Sequence, residues 1–436
     1  MFDTYHQAVQ WLESTITKQA PSYMHTAGDK TFFLERTRRL FKRLGNPERG
    51  FQVVHVTGTS GKGSTAMMVY EMLRTSGKRV GLYTSPFVTT TAENIQSNGQ
   101  LIAPVDFAIC TRRVRKVVEK IAQEEPEWYP SYSEILFAIG VLYFQKIQCE
   151  WVVVEVSCGG RFDVTNIFLQ AKWCVLTNIG MDHTDVLGTT LEEIAWHKTG
   201  IIQPGSTVFS AERASSIRKI IDAEAKKQGT AVHYVEPGKM TIATRMPGNH
   251  QQWNAALAAA VGEKMGLSSH SIANGIQVAR LPARVELIQT QPRVIIDGAH
   301  SAPKMEALVQ TLETFRPWKK LRVLFAAKES KNVNTLVAPL IPLADYFYFT
   351  SFILPGFGSH HPHAVQEVAH TLAITGRTLN SRVILQPLDA LQQCMEETDP
   401  EDLVLITGSL YLAGEIRTYW ITEELMLRTR RCFPQD

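Results

Sequence analysis

The feature that most restricts this chain is the run His55-Val-Thr-Gly58-Thr59-Ser60-Gly61-Lys62-Gly63-Ser64-Thr65, set between a β-branched stretch at 51–56 and a helical pattern at 66–76. A strand, a glycine-rich turn and a helix in that order gather backbone N–H groups around an anion at the helix start, where the helix dipole favours negative charge. Lys62 would reach terminal phosphates, and Ser64 or Thr65 would offer a hydroxyl near a divalent cation. The fit to GxxxxGK[ST] is partial, because Val56 stands at the first glycine and Gly63 separates the lysine from the hydroxyl. The strand before and the helix after outweigh these departures, so nucleotide phosphate binding is expected.

The alternation continues along the chain. Residues 80–83, 151–156 and 174–177 read as strands, 132–147 and 254–265 as helices, and about 5–44 as helical up to Gly45-Asn46-Pro47. Strands interleaved with helices predict an α/β fold with a mainly parallel sheet covered on both faces. Turn chemistry at Arg280-Leu-Pro-Ala-Arg284 precedes a second series of strands at 293–296, 322–325, 346–350, 383–385 and 403–406. With 436 residues, more than one core usually organises, the reading is two domains. A P-loop ATPase-like domain spans 1–282, and a smaller Rossmann-like α/β domain spans 283–436.

Bulk properties exclude several classes. Lys and Arg number 45 against 42 Asp and Glu, and a net +3 argues for neither a nucleic-acid nor a membrane partner. The six cysteines form no CxxC pair, so neither a zinc site nor a disulfide framework is indicated. Met1-Phe-Asp-Thr-Tyr-His lacks a basic n-region, and no apolar run reaches the ~18 residues of a membrane span. The expected location is cytoplasmic.

Further polar islands occur in a fixed order: Tyr83-Thr-Ser85-Pro86-Phe87; Glu155-Val-Ser-Cys-Gly-Gly-Arg161-Phe-Asp163-Val-Thr-Asn166; Thr177-Asn178-Ile-Gly-Met-Asp182-His183-Thr-Asp185-Val-Leu-Gly188; and His197-Lys198-Thr-Gly200. Pro247-Gly-Asn-His250-Gln251-Gln-Trp-Asn254, Asp297-Gly-Ala-His300 and Thr407-Gly-Ser409-Leu-Tyr411 follow. Together with the phosphate loop, this series resembles the folylpolyglutamate synthase and dihydrofolate synthase family of the Mur ligase superfamily.

The resemblance implies a ligase that joins L-glutamate to a pterin or folate acid through an acyl phosphate, working as a monomer with ATP and two magnesium ions. It implies nucleotide contacts at Gly58, Thr59, Ser60, Gly61, Lys62, Gly63, Ser64, Thr65, Asn254, Arg284 and Asp297. Ser64, Ser85, Glu155 and His183 are matched to magnesium positions, and Lys198 to a lysine that is carbamylated to hold the second ion. Lys62, Lys198 and His300 are the expected catalytic groups, and Arg161, Asp163 and Ser409 the expected substrate contacts. Ser60, Asn94, Ala283 and Ser301 depart from the commoner family pattern, where asparagine, arginine, glycine and asparagine stand. Two other readings cover part of the pattern: a related Mur-type ligase for a different acid and amino acid, and a nucleotide-binding switch without ligation.

Overall fold

Strand β1 (Gln52–Thr57) is buried along nearly its whole length, as a β-branched run covered on both faces should be. The computed structural model describes residues 2–16, 30–168, 171–238, 242–352, 359–373 and 379–434. After β1 come β2 (Val80–Tyr83), β3 (Ile95–Ser97), β4 (Gln100–Leu101), β5 (Trp151–Glu155), β6 (Trp173–Leu176), β7 (Thr207–Ser210) and β8 (Val232–Tyr234). They form one sheet in the order β4-β3-β2-β5-β1-β6-β7-β8. Pairing is parallel from β2 to β8, and the short β3 runs against both of its neighbours, β2 and β4. From β1 the chain goes first to the side of β2, β3 and β4, returns to place β5 between β2 and β1, and then crosses to β6, β7 and β8 on the other side. A crevice therefore opens beyond the C-terminal ends of β1, β5 and β6, where an open α/β sheet holds its ligand.

The second sheet contains β9 (Glu286–Thr290), β10 (Arg293–Ile296), β11 (Leu321–Phe325), β12 (Tyr346–Phe349), β13 (Asn380–Val383) and β14 (Leu403–Thr407). Its order is β13-β12-β11-β14-β10-β9, with β9 alone antiparallel. Both sheets agree with the α/β fold expected from the alternating pattern.

Three details differ from the sequence reading. The stretch 5–44 contains the helices Phe2–Ser14 and Thr31–Arg43, and its residues 17–29 lie outside the described residues. The second of these helices is docked by a buried pair: Arg36 Nε donates to Glu134 Oε2 at 2.8 Å, and Thr37 Oγ1 donates to Glu134 Oε1 at 2.6 Å. The strand expected at 383–385 instead occupies Asn380–Val383. It is an edge strand with alternating exposure, so its apolar signal comes from residues that follow the ladder. The strands β3, β4, β7, β8 and β9 had not been read at all; each is short or half exposed.

The helix Lys62–Thr75 packs against Asn249–Lys264 and Ser269–Val278. The approach is close, since a Cβ on Gly275 would lie 2.4 Å from the Met72 backbone nitrogen. The chain then crosses to β9 through 279–285, where Ala283 and Val285 hold φ of 52° and 48°. A left-handed backbone at 283 accounts for glycine being the commoner family residue there. The division that we propose between residues 282 and 283 falls in this crossing.

The chain crosses back after the helix Leu410–Arg417. Ile421 and, on the helix Glu423–Thr429, Met426 and Leu427 join the core that contains Tyr5, Leu12 and Phe41. Arg417, wholly buried, ties the two crossings: its Nε donates to both oxygens of Glu286 at 3.0 Å and its Nη2 to the Cys432 carbonyl at 2.6 Å. Among the described residues no helix is long and apolar enough to cross a membrane.

Candidate active site

The loop after β1 is held in shape by the loop after β6. Thr59 N–H donates to the Asn178 carbonyl at 2.7 Å, Ser60 N–H to Asn178 Oδ1 at 3.0 Å, and Thr177 Oγ1 to the Ser60 carbonyl at 2.6 Å. A Cβ on Gly58 would stand 1.7 Å from Thr177 Oγ1, so the loop closes only with glycine there. Gly61 caps the helix Lys62–Thr75 at φ 81°. The Thr65 N–H donates to the Gly61 carbonyl at 2.9 Å, so the amides ahead of it face out of the helix start. Ser60, in place of the commoner asparagine, takes part through its backbone and leaves the cradle intact.

Glu155 ends β5 beside this helix start. Its carboxylate lies 3.2 Å from where a Gly63 Cβ would be, and its Oε2 accepts from the Ser85 N–H at 3.2 Å. Burial raises the Glu155 carboxyl above its usual range, against the pull of Lys62, the Ser85 amide, Arg284 and Lys304. Ser85 Oγ and Ser157 Oγ are 2.9 Å apart. Thr65 Oγ1 is buried with no hydrogen-bond partner, and Ser64 Oγ accepts from Gln251 Nε2 at 3.3 Å.

Among the described residues no group of three His, Cys, Asp or Glu side chains forms a metal cage. The donors here are instead one carboxylate and several hydroxyls around a phosphate cradle, which is how magnesium is usually held on a nucleotide. The costly burial of the Glu155 carboxylate beside the helix start fits such an ion.

Lys198 reaches the same place from the helix Leu191–Thr199. Its Nζ donates to the Gly58 carbonyl at 2.8 Å, and the side chain is buried. Burial, then the charge of Lys62, pulls its pKa down to about 7. His183 precedes the short helix Thr184–Leu187 at φ 48°, with Nε2 3.8 Å from Asp182 Oδ2; burial lowers its pKa.

The opposite wall comes from the second sheet. Asp297, at the end of β10, accepts from the Val285 and Ala299 N–H groups, each at 2.8 Å, and so fixes the crossing beside Arg284. Arg284 Nη1 donates to the Ala283 carbonyl at 3.0 Å. His300 Nδ1 lies 2.7 Å from the Gly298 carbonyl, and burial takes the ring down to about 3, so it is neutral with its proton on Nδ1. Gly63, Ser85, Glu155, Leu281, Pro282 and Arg284 line one pocket of this cleft.

Four expected site residues have partners within the protein. Arg161 turns to the Trp196 carbonyl, at 3.1 Å from Nη2, and pairs with Glu224 at 3.2 Å. Asp163 Oδ2 accepts from Cys158 N–H at 2.9 Å and Oδ1 from Thr165 Oγ1 at 2.6 Å, so both oxygens brace their own loop. Ser409 caps the helix Leu410–Arg417 by accepting from Tyr411 N–H at 3.1 Å. Asn254 faces the phosphate loop: its Oδ1 fills the space next to Gly61, and its Nδ2 donates to Gln251 Oε1 at 2.9 Å.

Sequence reasoning missed Lys304 in the site set, although it lies only four residues beyond His300, the end of a quoted polar island. It also left out Thr177 and Asn178 as the loop's supports, although both lay in a quoted polar island.

The Mur ligase middle domain matches residues 56–208, and the Mur ligase glutamate ligase domain matches residues 283–410. The dihydrofolate synthase/folylpolyglutamate synthase of Bacillus subtilis is 30% identical over 414 residues, covering 88% of this chain and 94% of that protein. A folylpolyglutamate synthase of Mycobacterium tuberculosis, solved with ADP and AMPPCP, superposes with a TM-score of 0.84 at 26% identity, covering 96% of this chain and 99% of that one. The Thermotoga maritima folylpolyglutamate synthase gives a TM-score of 0.80 at 26% identity, with coverages of 96% and 97%.

Proposed function

Because the chain belongs to the folylpolyglutamate synthase and dihydrofolate synthase family of Mur ligases, we propose that its cleft uses ATP to couple L-glutamate to dihydropteroate, to tetrahydrofolate polyglutamates, or to both. The observation that carries this reading is the meeting of two walls: a phosphate cradle with Lys62 and Glu155 on one sheet, and Arg284, Asp297 and His300 on the other.

The substrate carboxylate attacks the γ-phosphorus of ATP, the bond to the ADP oxygen breaks, and an acyl phosphate results. Lys62 and the first-turn amides neutralise charge on the phosphoryl oxygens, and Arg284 approaches them from the second sheet. The amine of glutamate then attacks the acyl carbon, the carbon–phosphate oxygen bond breaks, and the amine loses a proton as the amide forms. Closing the two walls orients both substrates and keeps water from the acyl phosphate.

Ser64, Ser85, Glu155 and His183 would hold magnesium, which when bound screens the phosphate charge. A carbamate on Lys198 would turn a buried cation next to Lys62 into an anionic ligand for a second ion. Asn254 would shape the nucleotide side by fixing Gly61. Asp163 and Ser409 would act on substrate through the loop and the helix start that they brace. A monomer in the cytoplasm is the accompanying proposal.

The test is ATP-dependent incorporation of labelled L-glutamate, with dihydropteroate and tetrahydrofolate offered separately and Lys62→Ala as control. Incorporation lost in the variant supports the reading. ATP binding without incorporation into either acid would transfer it to a different acid substrate.

A further inference from the structure

Lys304 lies in the first turns of the helix Ala302–Leu312, half-buried in the cleft. Its Nζ is 3.1 Å from His300 Nε2. Since the His300 ring is neutral and protonated on Nδ1, Nε2 is an acceptor and the ammonium of Lys304 is the donor. This contact uses one of its three N–H groups. Among the described residues no carboxylate lies within ion-pair distance of Lys304.

The charged groups around Lys304 come from several elements: Lys62 from the phosphate loop, Asp182 from the loop after β6, Arg284 from the crossing, and Lys331 from the loop after β11. Glu155, Asp297 and Lys198 also lie within reach of its field. Burial and then Lys62 draw its pKa down to about 8. Lysines and an arginine that converge in a partly desolvated cleft favour an anion in direct contact with them. Phosphate oxygens answer Lys62 and Arg284. Lys304 belongs to the other wall, carried with His300 by the second sheet, and the nearby carboxylates Asp182, Glu155 and Asp297 act on it only at a distance, with none in direct contact. The amine donor of the reaction brings two carboxylates, so one of them supplies the missing anion.

We infer that Lys304, aimed by its hydrogen bond to His300, contacts a carboxylate of the incoming amino acid and makes the site select a dicarboxylic amino acid over its amides. The inference rests on the ligase reading above.

Steady-state kinetics with L-glutamate, L-glutamine and L-isoglutamine distinguish the side-chain carboxylate from the α-carboxylate. Wild type should disfavour at least one amide by about 100-fold in kcat/KM, the scale of a lost charge-assisted hydrogen bond. Lys304→Met should raise KM for glutamate by about 10- to 100-fold, leave KM for ATP unchanged, and collapse the penalty for that same amide. Lys304→Arg, which keeps charge and fold, should restore most of the discrimination. An unchanged glutamate KM and amide penalty in Lys304→Met would overturn the assignment. A rise in KM for ATP alone would also overturn it by placing Lys304 on phosphate. Should Lys304→Met not fold, Lys304→Gln, which keeps the reach and the N–H donors but not the charge, takes its place: a raised glutamate KM with a collapsed amide penalty supports the contact, and wild-type values of both refute it. A wild type that couples no amino acid, although it binds ATP, defeats the ligase reading itself.

Discussion

The Oδ1 of Asn254 lies 2.2 Å from the point that a Cβ on Gly61 would occupy. The phosphate loop and the helix Asn249–Lys264 are thus fitted to each other through a missing methyl group.

Gly61→Ala should therefore weaken nucleotide binding by at least ~10-fold and destabilise the fold by ~1–3 kcal/mol, because it adds a clash to a left-handed φ of 81°. Asn254→Ala in the same chain removes the clash and leaves the backbone cost, so the double variant should recover part of the loss. Calorimetric ADP titration and urea unfolding measure both. No recovery in the double variant would show that the contact is not what demands glycine.

The pair Arg417 and Glu286 is buried where the chain crosses twice between the sheets. Arg417→Met leaves a carboxylate without its counter-ion in the interior, a change that costs ~3–5 kcal/mol. Glu286→Gln paired with Arg417→Met should recover much of it. Urea denaturation of the single and double variants measures the coupling, and additive losses would contradict it.

His55, at the centre of β1, has no exposure, and burial pushes its ring down to about 3. A proton then binds the unfolded chain, near pKa 6.5, more readily than the folded one. The stability present above pH 6.5 should decline by up to ~1.4 kcal/mol per pH unit for this residue as pH falls towards 3. His55→Gln should flatten the urea midpoint against pH between 7 and 4, whatever its level at pH 7. His197 and His300, lowered to about 4 and about 3 by burial, add to the slope in both proteins, so the difference isolates His55. Parallel curves would refute the prediction.

Removal of magnesium by a chelator should stop ATP-driven coupling and restoring it should return activity. Glu155→Gln, which keeps the shape of the side chain beside Gly63 but not its charge, should need at least ~10-fold more magnesium for half-maximal turnover. An unchanged magnesium requirement would remove Glu155 from the metal set.

The phosphate loop was legible because its glycines answer to local geometry: Gly58 and Gly61 are required by atoms that approach within the space of one carbon. The buried strands β1, β5 and β14 were legible because a strand covered on both faces is apolar throughout. The orientation of Arg161 and Ser409 was not legible for the opposite reason. A motif gives the residue but not where its side chain points, and packing at Trp196 or a helix start decides that. Lys304 was overlooked because its significance lies in neighbours from four separate segments.

The chain passes between the two sheets at 279–285 and again beyond Arg417, and Arg417 binds both passages together. A body hung from one strand swivels about any direction, whereas one hung from two adjoining strands turns like a door on two hinges. Two tied passages restrict the directions in which the second sheet can turn, so the wall bearing Arg284, His300 and Lys304 is kept facing the phosphate loop.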